Sequence, residues 1–222
     1  MANQPANSPS AMLELLPAFQ EALESHDALR SEELFRRAMT LGEPLTMIEA
    51  LVVPTLQHIG DAWYAGRLAL SQIYLSGKLC ERLVNSILLP PADQADRTPP
   101  RQAIAVLNDY HLLGKRLVCS MLRSSGIALH DYGRVTVDEL VERVVADGVE
   151  ILLISTLMLP SALQVRAVRT ALDARNIRVR IAVGGAPFLF DPDLWQEVGA
   201  DAMGRTAADA IQITRQWMGD GT

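Results

Sequence analysis

The stretch from Pro90 to Pro100 constrains the fold of this chain more than any other segment. It reads PPADQADRTPP, with two pairs of prolines around polar residues. Proline lacks the amide hydrogen that a helix or an inner strand needs, so no regular element is expected to cross this stretch. A chain of 222 residues is long enough for two domains, and the prolines predict the boundary between them. We predict a disordered tail over 1–11, a helical cap domain over 12–90, a proline-rich linker over 91–100 and an α/β domain over 101–222.

The segment before the prolines has helical periodicity throughout. Apolar residues recur every three or four positions, as at Leu56, Ile59 and Trp63. Glycine and proline residues, among them Gly66, mark the points where one helix should end and the next begin. The pattern predicts a bundle of four or five helices, the last of them running from about Leu70 to Leu88.

Beyond the prolines, short apolar runs alternate with segments of helical length. Continuous apolar runs such as ILLI and IAV are typical of parallel strands that are covered on both faces. The alternation predicts a five-stranded parallel Rossmann-like (flavodoxin-like) domain with the strand order 2-1-3-4-5. The predicted strands are Ala103–Leu107, Ile127–His130, Glu150–Ser155, Arg178–Val183 and a short fifth strand near Ala202.

Composition excludes several classes of function. The chain has 20 Lys and Arg against 26 Asp and Glu, a net charge of −6, which argues against nucleic acid as a partner. No apolar run approaches the roughly 18 residues that span a bilayer, and the first residues lack the features of a signal peptide. We therefore expect a cytoplasmic protein with no membrane partner. Cys80 and Cys119 lack Cys-x-x-Cys spacing, which favours reduced core thiols over a disulfide or a zinc site.

The predicted topology indicates where a ligand should bind. In an open sheet of this order, ligands bind beyond the carboxyl ends of the strands, between strands 1 and 3. The loop after strand 1, NDYHLLG, offers an imidazole and a carboxylate. The loop after strand 3, STLMLPS, offers hydroxyl groups, and GGAP after strand 4 offers a backbone without obstructing side chains.

These three loops carry a resemblance to a known family. The motif D-x-H-x-x-G over Asp109–Gly114, followed by S-x-L over Ser155–Leu157 and by Gly184–Gly185, resembles the signature of cobalamin-binding domains. Those domains hold the cofactor base-off, with a protein histidine on the cobalt. The resemblance implies cobalamin as the cofactor, as methylcobalamin or another corrinoid.

The resemblance extends into the helical half. GDAW over 60–63, GRL over 66–68 and SQ over 71–72 are similar to the four-helix cap of methyltransferase corrinoid proteins and of methionine synthase. The two halves together cover residues from about 12 to 218. The resemblance therefore implies a corrinoid protein of the methyltransferase corrinoid protein and methionine synthase cobalamin-domain family.

The family's motif implies roles for three residues. His111 would be the lower axial ligand of cobalt, and Asp109 would orient its ring. A neutral imidazole is a good nitrogen donor to a metal, and a carboxylate on its other ring nitrogen fixes the ring and tunes its basicity. Ser161 would complete a His–Asp–Ser relay through which a proton enters. Asp109, His111 and Ser161 are thus the predicted catalytic set, and His111 the predicted metal ligand.

The resemblance also implies the surroundings of the cofactor. Gly184 and Gly185 would leave a slot for the nucleotide tail, and Ser155 would hydrogen-bond to its base. A large aromatic on the cap, Trp63, would lie over the corrin. The predicted cofactor-binding residues are Asp109, Tyr110, His111, Leu112, Leu113, Gly114, Ser155, Leu157, Leu159, Ser161, Gly184, Gly185, Ala186, Met203 and Trp63.

The chain departs from the family pattern at several positions. Asn108 and Leu112 stand where the family often has Gly and Asp, and Leu159 stands where it often has a hydroxyl. Ser76–Lys78 replaces a run of small apolar residues in the cap. The photoreceptor branch has Glu-His where this chain has Ile73–Tyr74, which argues against a light sensor of that type.

By this resemblance the protein carries a methyl group between partner methyltransferases. A cobalamin-binding sensor or regulatory module without turnover is the alternative, because binding residues do not reveal which protein reads the bound state. The methyl donor and acceptor, a homodimer through the bundle, and classification as an enzyme in its own right are left open. Partner methyltransferases are the expected macromolecular partners.

The same residues allow other assignments. A Ser–His–Asp hydrolase would need a Gly-x-Ser-x-Gly elbow, which the chain lacks, and a phosphoacceptor receiver would need an aspartate in place of Ser155. Asp109 and Ser161 could each be an ordinary helix N-cap, and Trp63 could be ordinary packing.

Overall fold

The computed structural model describes residues 8–87 and 100–219. Contacts divide the chain into two compact units, Met1–Pro90 and Pro91–Thr222. Residues 1–7 of the predicted tail and 91–99 of the predicted linker lie outside the described residues. In the described parts, no helix has the length and hydropathy needed to cross a membrane.

The first unit is helical, with four helices in its described part. They are α1 (Ser8–Glu24), α2 (Ala28–Met39), α3 (Pro44–Tyr64) and α4 (Leu70–Asn85). α1 begins within the stretch predicted as a tail, and its Pro9 is tolerated because first-turn amides have no partner inside a helix. α4 ends before the predicted Leu88, which lies outside the described residues.

Helix ends in this unit follow local chemistry, and the core follows the apolar period. The Asp27 side chain caps α2 by accepting a hydrogen bond of 3.0 Å from the amide of Arg30. Gly66, at φ 72°, reverses the chain after α3. Phe19 is fully buried and its ring centroid lies 6.4 Å from that of Phe35.

The second unit is built on a parallel five-stranded sheet. Its order, β2-β1-β3-β4-β5, confirms the predicted order and fold class. Neighbouring strands are parallel throughout. The strands are β1 (Gln102–Leu107), β2 (His130–Val135), β3 (Ile151–Ser155), β4 (Arg180–Gly184) and β5 (Ala202–Gly204).

The prediction for the second strand was wrong in position. It was expected over Ile127–His130, but β2 begins at His130 and pairs with β1 from Ala103 onward. β2 is an edge strand with the sequence HDYGRV, so it lacks the continuous apolar run of a strand covered on both faces. Its register shifts at Tyr132, an extra residue beside Gly133, which has φ 65°.

Helices cover both faces of the sheet, as the apolar runs predict. Along β1, Ala103, Ala105 and Leu107 pack into one buried cluster, and Ile104 packs into another. This alternation is the period of two that a strand imposes. The helices of this unit are α5 (Leu113–Ser124), α6 (Val137–Ala146), α7 (Leu159–Leu163), α8 (Val165–Ala174), α9 (Ala186–Phe190), α10 (Leu194–Glu197) and α11 (Ala207–Gly219).

Candidate functional site

The strand register brings the predicted loops to one edge of the sheet. Val106 of β1 pairs with Ser155 of β3, and Ser155 pairs with Gly184 of β4. Gly184 pairs in turn with Gly204 of β5. Because all these strands are parallel, the loops that follow them emerge side by side at the carboxyl edge, where an open α/β sheet binds its ligands.

Asp109 joins the loop after β1 to the loop after β3. Its carboxylate is 3% exposed and accepts four hydrogen bonds. Oδ1 lies 2.7 Å from Nδ1 of His111 and 3.1 Å from the His111 amide nitrogen. Oδ2 accepts from the amides of Leu157 at 2.8 Å and Met158 at 3.0 Å. The side chain therefore fixes both loops and the imidazole at once.

The charge on Asp109 decides which nitrogen of His111 is free. Burial alone raises the pKa of Asp109, but hydrogen bonds from the His111 ring and from the backbone amides outweigh it and lower the pKa overall. The ionised carboxylate can only accept, so Nδ1 of His111 must carry its proton. In the neutral imidazole, Nε2 is then the nitrogen with the lone pair, on a side chain that is 54% exposed. A single imidazole nitrogen is thus presented at the edge of the sheet.

Asn108 occupies a conformation that few residues adopt. Its φ is 46°, in the left-handed region where Gly and Asn are favoured. Asparagine, like glycine, tolerates this conformation. The Asn108 side chain donates through Nδ2 to Oε1 of Gln164, and its carbonyl accepts from Oγ of Ser161 at 3.1 Å.

Ser161 has a different partner from the one expected. It is buried in α7 and donates to the Asn108 carbonyl, whereas the four bonds to Asp109 all come from His111, Leu157 and Met158. The direct Ser–Asp contact of the predicted relay is therefore missing. The N-cap alternatives are also wrong, because Met158 occupies that position for α7 and Leu112 for α5.

The turn after β4 requires glycine. Gly185 has φ 118°, and a Cβ built on it would lie 1.8 Å from the carbonyl oxygen of Thr156. A Cβ on Gly184 would lie 3.1 Å from the carbonyl oxygen of Gly204. Gly114 is less constrained, since a Cβ there would make an ordinary contact of 3.5 Å with Oγ of Ser155. The backbones after β3 and β4 approach each other only because Gly185 has no side chain.

These features fit a cofactor that brings its own metal. No group of three or more His, Cys, Asp or Glu in residues 8–87 and 100–219 is arranged to hold a bare ion. A metal that is already bound in a macrocycle needs only one further ligand from the protein below it. The imidazole of His111, oriented by Asp109, offers one such nitrogen. The backbone of Thr156 lies against Gly185, and among the described residues its buried hydroxyl Oγ1 has no hydrogen-bond partner.

Several other predicted residues lie near this edge. Tyr110 is 75% exposed, and the guanidinium carbon of Arg134 lies 3.8 Å from its ring centroid. Leu157 and Leu159 are also exposed. Leu112 and Leu113 are half-buried at the start of α5, and Ala186 begins α9.

Two predicted residues differ in setting. Met203 lies on β5, partly buried against the core cluster, which gives its side chain a packing role. Trp63 lies near the end of α3 in the helical unit and is 49% exposed, so core packing does not account for all of its surface. Its neighbour Tyr64 is more exposed still.

Sequence reasoning missed three contributors to the site. Gln164 bonds to Asn108, Thr156 lines the glycine turn, and Arg134 stacks on Tyr110. Arg134 was missed because β2 was predicted too early in the chain. Thr156 follows the predicted Ser155 directly and was visible as a second hydroxyl. No pattern in the sequence pointed to Gln164.

Comparison with known proteins gives consistent matches over both units. A family model described as B12 binding domain matches residues 103–213, and another with that description matches residues 15–87. The chain is 30% identical over 219 residues to monomethylamine corrinoid protein 2 of Methanosarcina barkeri, covering 92% of this chain and 98% of that protein. The solved structure of Methanosarcina barkeri monomethylamine corrinoid protein matches with a TM-score of 0.75 at 26% identity, covering 91% of this chain and 97% of that one.

A more distant likeness concerns the fold alone. A chain of the methanol:cobalamin methyltransferase complex from Methanosarcina barkeri matches with a TM-score of 0.51 at 20% identity. The match covers 93% of this chain and 80% of that one.

Proposed function

The chain belongs to the family of B12-binding corrinoid proteins, and from this membership we propose that it carries a methyl group on a corrinoid held base-off by His111. The observation that carries the proposal is the bond between Nδ1 of His111 and Oδ1 of Asp109 at 2.7 Å. That bond directs the free Nε2 outward at the edge of the sheet. The corrinoid supplies the cobalt chemistry that accepts and releases methyl; the protein supplies binding, orientation and protection.

His111 and Asp109 act as one unit in this function. Nε2 of His111 would be the protein's nitrogen donor to the cobalt. Asp109 is buried, accepts the Nδ1 proton in a hydrogen bond of 2.7 Å and so fixes the orientation of the ring. Because Asp109 also accepts from the amides of Leu157 and Met158, the loop after β3 helps to hold the imidazole in place.

The glycine turn provides for the nucleotide tail. When a protein histidine takes the lower position, the displaced base and its ribose phosphate must enter a separate slot. Gly184 and Gly185 carry no side chains at the end of β4, and Ser155 and Thr156 offer hydroxyls at the end of the neighbouring strand β3. The buried Oγ1 of Thr156, which has no partner among the described residues, would be available for a hydrogen bond to the tail.

Partner methyltransferases would supply and remove the methyl group. The relatives reported above are monomethylamine corrinoid proteins, which makes a methylated amine the first donor to test. Donor chemistry would then lie on the partner, and the present chain would determine the reactivity of the cobalt.

Binding and ligation are tested together by spectroscopy. Aquocobalamin is added to the purified protein, unbound cofactor is removed by gel filtration, and the visible spectrum of the retained cofactor is recorded. We expect one cobalamin per chain and a spectrum that changes in His111→Ala. The matched control is His58→Ala, which removes an exposed histidine paired with Glu24 in the helical unit. An unchanged spectrum in His111→Ala would overturn the axial assignment.

Methyl transfer needs its own assay. Protein loaded with methylcobalamin is mixed with an acceptor methyltransferase and a thiol, and loss of the methyl group is followed in the dark. Loss that depends on both additions is the expected result. Retention of cobalamin without transfer to any acceptor would instead favour the sensor function.

A further inference from the structure

The dipeptide Asn108–Asp109 is held at three points by one short segment of chain. Asp109 accepts from the amides of Leu157 and Met158 at the start of this segment. The Asn108 carbonyl accepts from Ser161 in its middle, and the Asn108 side chain donates to Gln164 at its end. The motif that resembles the cobalamin-binding family includes neither Asn108 nor Gln164.

Gln164 is a rigid anchor because of its place in the fold. It is the corner between α7 and α8, and its amide bonds to the Ser161 carbonyl at 3.2 Å. The carbonyl of Gln164 accepts the first hydrogen bonds of α8. α8 itself is pinned to the core by the fully buried Val165 and Val168. The side chain of Gln164 therefore connects the loop after β1 to the core.

Asparagine at position 108 does two things at once. Like glycine, it tolerates the positive φ that the turn into Asp109 needs. Unlike glycine, it adds an amide that reaches Gln164. A residue that only had to supply backbone freedom would not need this second bond.

We propose that Asn108 and Gln164 are a positioning pair that fixes the direction in which His111 presents Nε2. This inference rests on the proposed function. Asp109 alone is a pivot, since its four bonds lie close together around one carboxylate. One residue away, the Asn108 carbonyl accepts from Ser161 and the Asn108 side chain donates to Gln164. The bond to Gln164 is the one that ties the Asn108 side chain to the start of α8, and together with the Ser161 bond it resists rotation of the loop. Because the Asp109 carboxylate holds the imidazole, the pair sets the direction in which Nε2 is presented.

The first test uses the protein without cofactor. Gln164→Met removes the acceptor at similar length, and Asn108→Gly keeps the positive φ but loses the amide. In both variants we expect the amides of Leu157 and Met158 to exchange with deuterium about three to ten times faster, the effect of losing one hydrogen bond. Gln212→Met, on an exposed position of α11, is the matched control.

Two further variants distinguish a direct bond between Asn108 and Gln164 from a general loss of order in the loop. Gln164→Glu keeps an acceptor oxygen and should restore wild-type exchange. The double variant Asn108→Asp with Gln164→Glu places two acceptors face to face, and its exchange should exceed that of both single changes together. A double variant that exchanges no faster than either single variant contradicts a direct pair.

The second readout is the bound cofactor. In wild type and in each variant, the fraction of cob(II)alamin with a histidine nitrogen on cobalt is measured by electron paramagnetic resonance. We expect that fraction to fall in Gln164→Met and Asn108→Gly and to recover in Gln164→Glu. If the amides of Leu157 and Met158 exchange faster but the histidine-ligated fraction of cob(II)alamin is unchanged, the pair does not position His111. Wild type that retains no cobalamin would overturn the proposed function instead, with the exchange data still deciding the pair.

Discussion

The loop after β1 and the turn after β4 lie at the same edge of the sheet but are built in opposite ways. The loop after β1 depends on polar side chains that are present, with Asp109 accepting four hydrogen bonds. The turn after β4 depends on a side chain that is absent, at Gly185. The first kind of construction fixes a reactive group precisely. The second lets two backbone segments come close together, and neither backbone can move aside if a side-chain atom is added at Gly185.

This difference predicts how each region fails. Removing one hydrogen bond from a network of four leaves the remaining bonds to hold the loop, so damage there is graded. Adding one methyl group against a backbone carbonyl forces the strand ends apart, so damage there is abrupt. Substitutions in the two regions should therefore differ in size and in what they affect.

The largest effect is expected at the turn. Gly185→Ala would combine a disfavoured positive φ with a Cβ 1.8 Å from the Thr156 carbonyl oxygen. We expect a loss of roughly 4 kcal/mol in the free energy of unfolding of the α/β unit, from backbone strain and overpacking together. Urea unfolding followed by circular dichroism measures it.

Gly77→Ala is the matched control for that experiment. Gly77 lies inside α4, and a Cβ there would meet nothing within 4 Å. Alanine favours a helix over glycine by up to about 1 kcal/mol, so this variant should be neutral or more stable. Equal stability of Gly185→Ala and wild type would show that the turn has room to spare.

Asp109→Asn should cause the next largest effect, and of a different kind. The carboxylate accepts hydrogen bonds at both oxygens, but an amide has only one oxygen. Asparagine can therefore accept either from His111 or from the amides of Leu157 and Met158, but not from both. We expect roughly 2–3 kcal/mol of destabilisation, with the protein still folded. The reduction potential of bound cobalt should also shift, because the ring loses its anionic partner.

Spectroelectrochemistry on cobalamin-loaded wild type and Asp109→Asn measures that potential. Identical potentials in the two proteins would mean that Asp109 does not act through His111.

Ser161→Ala should have a smaller effect. Ser161 donates one hydrogen bond of 3.1 Å to the Asn108 carbonyl, so its loss should cost about 1 kcal/mol. If Ser161 relayed a proton, Ser161→Ala would also change the pH dependence of cobalt reduction relative to wild type. We expect that dependence to match wild type, because the hydroxyl bonds to a carbonyl and not to Asp109. A clear shift in the pH profile would restore the relay.

An effect that depends on pH is expected on the other flank of the loop, where the buried Lys115 pairs with Asp131 at 2.5 Å. Burial raises the pKa of Asp131, but the Lys115 ammonium and the Gly133 amide lower it by more, so the pKa lies below its ordinary value of 3.8. Its stabilisation is therefore present above about pH 4 and lost as the pH falls through the lowered pKa.

Stability curves of wild type and Asp131→Asn test this sign. The gap between them should be about 1–3 kcal/mol and constant near neutral pH, because Lys115 is buried, and should close only at acidic pH below the ordinary value. A gap that instead widens as the pH falls would mean that the pKa of Asp131 is raised.

Most of the sheet and the position of the site residues could be predicted from the sequence. The continuous apolar runs of β1, β3 and β4 placed the strand ends, and the strand ends placed Asp109, His111 and Gly185 at one edge. β2 was misplaced because an edge strand needs no continuous apolar run, and HDYGRV has none. The position of such a strand is set by its hydrogen bonds to the neighbouring strand, here β1.

The finer contacts of the site could not be predicted for a related reason. Gln164 meets Asn108 because α7 is short and turns at once into α8, and that geometry has no signature in the sequence. The resemblance to the family assigned Ser161 to Asp109, but the helix on which Ser161 lies directs its hydroxyl to the carbonyl of Asn108. Spacing predicts which loops meet; the packing of the elements decides which atoms bond.

The central claim is that His111 provides the axial nitrogen. The direct measurement is the electron paramagnetic resonance spectrum of bound cob(II)alamin, in protein made with ordinary histidine and in protein whose histidine carries the heavy nitrogen isotope. We predict that the nitrogen splitting changes from triplets to doublets on labelling and disappears in His111→Ala. A splitting that stays as triplets in the labelled protein would place the cofactor's own base on cobalt and contradict this account.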